Sequence, residues 1–509
     1  MNGLRLIRTL LAIIWLACGI YGAVQLATSD IETIRFWDEA DLMWDIGVPD
    51  FASEGGRLGA ISYATRKIGY AYPVTLLSDW QGNTGVVYWN LLWFVIILLL
   101  PIPGVREWTA YAFKAGALLS LPYVVKYVTM VNPTIQAMGL WLILVTLYVY
   151  WRRLPDPSRF VHRALAAIIG IVGGLIVITD FKWLPFVAVS VVLLLMIDPP
   201  QPTGELAGAD GRLRPLLRRV VPRAVLILVG LPVVMAITAL LFRPYGGMVY
   251  SMLFALPGHV GVVRPGMSEN VLIHLWYLGG LGIVLGTLVG VIMLVKRDLS
   301  AWRRYAPYWL PPAVICLAFS LIVWPRGARM FAPALIPIIV LGAIVISRHD
   351  LWHTKSMRQP LLWVVLVLLT LPMLTNVGRI RDVIETPTGL DELKAHITAH
   401  TVGPLGGTPD EEPLYQPRIM GGYMLPLMVM RASRDPDMMW YSPATGLRET
   451  SNWVFLNPVT DALTIEEQAA GGVVAFEWKQ NQYYMRESME RSGQTVASIP
   501  APFYTTPFY

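Results

Sequence analysis

Runs of about twenty apolar residues, the length at which an α-helix crosses the hydrocarbon core of a bilayer, recur from residue 6 to residue 377 of this 509-residue chain. They lie near 6–27, 84–103, 109–131, 134–151, 163–180, 183–198, 222–242, 271–295, 307–325, 328–347 and 359–377. In lipid every backbone N–H and C=O must be satisfied within its own segment, so such runs are expected as helices. Charged residues make up only 15% of the chain, against about 25% in a soluble domain. The expected class is a polytopic α-helical membrane protein with about eleven spans. The first stretch, MNGLRLIRTLLAIIWLACGIYGAVQLA, has the charged head of a signal peptide. Its long apolar run lacks a convincing small-x-small cleavage site, so it reads as a retained first helix.

Cytoplasmic loops hold the Lys/Arg excess in membrane proteins, and alternate loops here do. They carry Arg5 and Arg8, then Arg106, WRRLPDPSRFVHR (151–163), RLRPLLRR (212–219), KRDLSAWRR (296–304) and SRHDLWHTKSMR (347–358). This predicts an N-terminus inside and a C-terminus outside. The net charge of +6 is thus spread through short clusters between apolar runs. It reads as topology signal and not as the basic face of a nucleic-acid binder. Cys18 and Cys316 both fall in apolar segments, which leaves no disulfide framework or CxxC metal site.

The outer face then receives a long first loop (28–83), an NPT turn at 132–134, DFKW at 180–183, a loop at 243–270, WPRGARM at 324–330 and everything after about 378. The expected domains are a membrane domain over 1–378 and a soluble outer-face domain over 379–509. In the tail, 389–400 reads as an amphipathic helix, 471–478 as a strand, 481–493 as a helix and 495–499 as a strand, a small α/β domain. No P-loop, no GxGxxG between strand and helix and no solenoid repeat is present.

The first outer loop opens on RFWDEADLMWD (35–45). Acidic residues beside a bilayer are costly unless they face water or a substrate. Asp38 and Glu39 follow Trp37, a residue type that settles at the membrane interface, so a carboxylate there could deprotonate an acceptor hydroxyl. Neighbouring residues on a helix point about 100° apart, so one of the pair would face the acceptor and the other hold a partner or a metal. The alternative is a solvated acidic loop; Asp41 and Asp45 read as solvated or capping residues. Three sparse cations share that side. Lys182 closes a helical hairpin, where it could meet a lipid phosphate or snorkel. Arg326 and Arg329 break the positive-inside pattern, and arginine grips phosphate bidentately. Segment 56–80 is apolar enough for an interfacial helix, with Arg57, Arg66 and Lys67 against lipid phosphates or the headgroup layer. His259, in LPGHVGVV, is a candidate base or metal ligand, though a lone histidine is more often structural. No cofactor motif is present, and a divalent metal ion stays an open alternative.

Taken in order, WDEADLMW, GLIVITDFKW and RMFAPALIP resemble the motifs of the GT-C superfamily of polytopic glycosyltransferases. The resemblance is to its bacterial branch near the protein O-mannosyltransferases and the lipid A aminoarabinose transferase. Asp38, Glu39 and Ala40 match the family's acidic motif. Gly174, Leu175, Thr179 and Lys182 match its Gly-Leu to Thr-Lys hairpin motif with Asp180 and Phe181 inserted. Arg329 to Pro337 match its Arg-aromatic-x-x-Pro-x-x-Pro helix start, with Met330 where an aromatic is usual. The motifs cover about 30 residues; the topology covers most of the membrane part. The resemblance implies a polyprenyl-phosphate-linked sugar as donor and an acceptor hydroxyl on a glycan, lipid or protein. It also implies a site on the outer face of a bacterial cytoplasmic membrane. Asp38 would be the base, Glu39 its partner, and Lys182, Arg326 and Arg329 the holders of the donor phosphate. A transporter or flippase for lipid-linked sugars is the rival. It would show mid-bilayer charges and paired repeats; mid-span charges are few, chiefly Lys114 and Lys126 in the third span, and no repeat is found. A structural scaffold leaves the outer cations without purpose, and oligosaccharide polymerases of another fold usually carry their basic residues in a large late outer loop.

Overall fold

The structure, a computed structural model, describes residues 3–29, 67–81, 84–154, 159–197, 213–242, 246, 249, 279–321, 331–348 and 359–385, and six strands between 418 and 500. The helices are α1 (Gly3–Thr28), α2 (Ile68–Gln81), α3 (Thr84–Leu99), α4 (Trp108–Ser120), α5 (Pro122–Thr129), α6 (Thr134–Arg153), α7 (Arg159–Thr179) and α8 (Leu184–Ile197). There follow α9 (Leu213–Leu241), α10 (Leu281–Arg297), α11 (Ala301–Arg304), α12 (Ala306–Leu321), α13 (Ala332–Ser347), α14 (Gln359–Asn376) and α15 (Ile380–Ile384). Each of the apolar stretches expected to span contains a helix. Among the described residues five helices are long and apolar enough to cross a membrane: Leu6–Thr28, Thr134–Arg153, Phe160–Thr179, Val220–Leu241 and Pro360–Ile384. Five shorter apolar helices accompany them.

Their surfaces are inverted relative to a soluble bundle. On α9 the exposed residues Val221, Val225, Val229, Val233 and Ile237 recur every fourth position, which lines them up on one helix face. Leu361, Val364, Val367, Leu371 and Leu374 recur every third or fourth position on α14. Long apolar stripes of this kind are stable only against lipid or another protein. Without a hydrophobic drive between helices in lipid, small residues at the crossings set the packing. A Cβ on Gly170 would fall 2.2 Å from the Ile227 carbonyl oxygen, and one on Gly230 2.4 Å from the Gly170 carbonyl carbon, so α7 and α9 meet backbone to backbone. Between α6, α7, α8, α9 and α12 lies the apolar core, built around Trp141, Trp151, Trp183, Phe181 and Ile227. Trp15 of α1 is tied to α14 by its indole N–H donating to Thr370 Oγ1 at 3.0 Å.

Hydrogen bonds fix which helix ends lie together. At one end Arg8 pairs with Glu107 and donates to Thr109 at 2.7 Å and 2.9 Å, and Arg152 donates to the Arg304 carbonyl. Arg153 donates to the Pro103 carbonyl at 3.4 Å in the same region. At the other end Gln25 accepts from the Arg381 backbone N–H at 2.9 Å, and Gln136 bridges α2 and α7. These two ends, about 25 Å apart along α1, are the arginine-rich end and the Asp180 end.

Two expectations need correction. The single span at 109–131 is two helices, because Leu121 before Pro122 is extended (φ −90°, ψ 108°), as pre-proline sterics favour. The segment expected as an interfacial helix over 56–80 is described from residue 67, where α2 buries Tyr70, Ala71 and Val74 and exposes Tyr72 and Leu76. Helix was also expected over 481–493. The structure has a strand at Gln482–Arg486, since Gln-Tyr-Tyr-Met-Arg is rich in strand-favouring aromatics and two neighbouring strands bracket it.

The strands form a separate compact unit. They are β1 (Arg418–Gly421), β2 (Met439–Tyr441), β3 (Trp453–Leu456), β4 (Val474–Lys479), β5 (Gln482–Arg486) and β6 (Val496–Pro500), in the order β2-β1-β3-β4-β5-β6. β1, β2, β3 and β4 pair in parallel, whereas β5 lies antiparallel to β4 (Phe476 opposite Met485) and to β6 (Tyr483 opposite Ile499). Parallel pairing needs crossover connections, and the tight β4–β5 link permits the antiparallel turn. The expected strands at 471–478 and 495–499 coincide with β4 and β6; the expected helix at 389–400 lies outside the described residues.

Candidate functional site

At the Asp180 end, α7 stops at Thr179 and the chain reverses into α8 through a 3-10 turn, Phe181–Trp183. Asp180 sets the turn. Its backbone is extended, its side chain accepts from the Lys182 backbone N–H at 3.4 Å, and its Oδ2 lies 2.7 Å from Lys182 Nζ. The carboxylate is nearly buried, at 7% exposure of its side chain, while the Lys182 side chain is 37% exposed. Lys182 Nζ also lies 5.4 Å from the centre of the Trp183 ring, within reach of a cation–π contact. The residues inserted in the hairpin motif thus have a role: Asp180 supplies a counter-charge to Lys182, and Phe181 fills the core. An anion meeting this ammonium would share it with Asp180.

Gln136, at the start of α6, joins four elements. Its amide donates to the Gly69 carbonyl and to Thr179 Oγ1, both at 3.0 Å, and its oxygen accepts from the Trp89 indole N–H at 2.9 Å. Both N–H donors of the amide and one of its two acceptor positions are used. A Cβ on Gly69 would lie 2.9 Å from Ile178 Cγ1 and 3.1 Å from the Thr179 nitrogen, so only glycine lets α2 seat on the end of α7. Lys67 and Lys182 therefore flank one helix contact, two residues before Gly69 and three after Thr179. Lys67 is 6% exposed and so buried against protein. One turn further along α2, the Tyr70 hydroxyl donates to Asn90 Oδ1 at 3.3 Å, and the Asn90 amide donates to the Met130 carbonyl at 2.6 Å. This draws in α5 with Lys126, a buried cation whose backbone carbonyl accepts from Thr129.

Of the residues expected to carry chemistry, Lys67 and Lys182 are described, near the contact of α2 with the end of α7. Asp38, Glu39, Arg57, Arg66, His259, Arg326 and Arg329 lie outside the described residues. Among the described residues no group of three His, Cys, Asp or Glu side chains could hold a metal ion. Asp180, Gln136 and Asn90 were not singled out by sequence. The signal for Asp180 was local, an acid two residues before a lysine in a turn, whereas that for Gln136 exists only in three dimensions. Lys114 is no mid-membrane relay: its ammonium donates to the Leu98 and Leu100 carbonyls at 3.3 Å and 2.7 Å, capping the end of α3, where a cation is favoured by the helix dipole.

No protein-family model matches the chain, and no curated protein matches it. Solved structures do. ArnT from Cupriavidus metallidurans in the apo state superposes with a TM-score of 0.53 at 12% identity, over 94% of this chain and 93% of that one. The same protein bound to undecaprenyl phosphate superposes with a TM-score of 0.54 at 13% identity, with the same coverage of both chains. At such identity the likeness is one of architecture. The chain shares, over nearly its whole length, the fold of these ArnT structures.

Proposed function

We propose that this chain is an inverting membrane glycosyltransferase that moves a sugar from a polyprenyl-phosphate donor to a hydroxyl of a glycan, lipid or protein. The observation carrying this reading is the fold shared end to end with ArnT, one of whose structures holds undecaprenyl phosphate. The arginine-rich end is then cytoplasmic by the positive-inside rule. The Asp180 end and the strand-bearing tail after about 378 face the exterior of a bacterial cytoplasmic membrane. Asp38 takes the proton of the acceptor hydroxyl as its oxygen attacks the anomeric carbon, and Glu39 orients Asp38 or the acceptor. The bond from that carbon to the phosphate oxygen breaks in the same displacement, with inversion. Polyprenyl phosphate leaves with one more negative charge than it had as a diester, and Arg326, Arg329 and Lys182 meet that growing charge. Preorganised cations of this kind contribute about 3 to 4 kcal/mol each.

Lys182 reaches the phosphate already paired with Asp180. The pair holds the ammonium in place without donor and lowers the net charge that a passing anion meets. The test is binding of undecaprenyl phosphate and of a polyprenyl-phosphate sugar to the full chain in nanodiscs. Arg326→Gln with Arg329→Gln should weaken both, and Asp38→Asn should weaken neither while abolishing turnover. Movement of the intact donor across the bilayer without turnover would establish the flippase reading in its place.

A further inference from the structure

Four separate stretches of chain, 103–105, 152–153, 300–305 and 344–348, converge at the arginine-rich end on a cavity of about 580 Å³. Five arginines line it, Arg152, Arg153, Arg303, Arg304 and Arg348, and among the described residues no carboxylate does. An adjoining cavity of about 220 Å³ adds Arg297 and one acid, Asp298. Val105 and Ile344 form apolar wall. Arginines on one side of a membrane ordinarily signal topology, and exposed Arg163 and Lys296 at this end fit that use. The cavity differs because its cations are held in a shared concave space. Arg152 donates to the Arg304 carbonyl and Arg153 to the Pro103 carbonyl at 3.4 Å. Arg304 lies 3.3 Å from Asp298, and Arg303 lies 5.5 Å from the centre of the Trp302 ring. Gly104, at φ +82°, leaves room for Arg153, whose Nη1 would stand 2.9 Å from a Cβ there.

Like charges confined in one cavity are opposed by mutual repulsion unless an anion joins them. Arginine's fork matches phosphate oxygens, and basic pockets between helix ends at the cytoplasmic surface take acidic lipid headgroups. We propose that this cavity binds a phosphate-bearing anion, the headgroup of an acidic lipid in the leaflet at that end. The site is separate from the Asp180 end and stands independently of the reaction proposed there.

The test uses the full chain in nanodiscs of phosphatidylcholine with and without phosphatidylglycerol, and in phosphatidylcholine with inorganic phosphate. The lipid retained on the protein is read by native mass spectrometry, and thermal stability is read alongside it. Wild type should retain phosphatidylglycerol over phosphatidylcholine. Arg303→Gln with Arg348→Gln should weaken that retention roughly thirtyfold, at about 1 kcal/mol per arginine. Arg163→Gln with Lys296→Gln, the same loss of charge outside the cavity, should change it less than about twofold. Should the first pair fail to fold, Arg303→Gln alone should give about a fivefold loss. Stabilisation by inorganic phosphate that the cavity variant abolishes supports the phosphate site with a soluble source. Equal losses in both pairs, or no preference for either phosphate source, would overturn the proposal.

Discussion

Replacing Gln136 with leucine, close to it in volume, should loosen the Asp180 end without touching an exposed surface. Gln136 is 5% exposed, and its amide makes three hydrogen bonds to α2, α3 and α7. Bonds between helices in membrane proteins average about 0.6 kcal/mol with a ceiling near 1.7, so the three together contribute about 2 kcal/mol. The substitution also strands the Trp89 indole N–H and the Gly69 carbonyl, each at about 1 to 3 kcal/mol if water stays out. Water entering at the helix ends offsets part of that, and about 3 kcal/mol is the expected net loss. Reversible unfolding in mixed micelles would measure it. A double-mutant cycle with Thr179→Val should return a coupling of about 0.5 to 1 kcal/mol. Gln136→Glu should be no better than leucine at neutral pH, since a carboxylate accepts from Trp89 but cannot donate to Gly69. A loss under about 0.5 kcal/mol with no coupling would refute the view that this amide ties the four elements together.

Other outcomes follow from the same contacts. Lys182→Gln should raise the donor KM roughly fivefold and leave kcat less affected, and Asp180→Asn should lower that KM by removing the competing carboxylate, both read in steady-state transfer assays. Gly170→Leu would push a side chain into the Ile227 carbonyl and should cost more than about 3 kcal/mol, seen as loss of monodisperse protein in detergent. Asp298 has its pKa held below the usual carboxylate range, first by the Ser300 hydroxyl and backbone N–H and then by Arg304 and Arg348. Its contribution is therefore present above the ordinary carboxylate pKa and lost as pH falls through the lowered one. The difference in melting temperature between wild type and Asp298→Asn should close below about pH 4.

The helices were legible in sequence because apolar length alone favours them in lipid, and each predicted stretch contains at least one; among the described residues five are long enough to cross a membrane. The break at Leu121–Pro122 was also written there, in a proline that cannot continue the preceding helix, but it was masked by apolar residues on both sides. The tail misled for a different reason. Gln482–Arg486 carries little helix or strand preference of its own beyond its tyrosines, and β4 and β6 on either side decide its state. The Lys182 turn was found by its charge, whereas the Asp180 partner was read only as an insertion. Gln136 and Asn90 stayed silent because a buried amide's meaning lies in what other helices bring to it, which no local spacing records. The five-arginine cavity was likewise visible only as topology signal, since its arginines come from three stretches distant in sequence.

The central claim is tested most directly by following labelled sugar from a polyprenyl-phosphate donor to acceptor in membranes holding matched amounts of wild type and Asp38→Asn. The account predicts transfer by wild type with inversion at the anomeric carbon, and loss of transfer in Asp38→Asn while donor binding persists. Equal transfer by both proteins, or retention at the anomeric carbon, would contradict it.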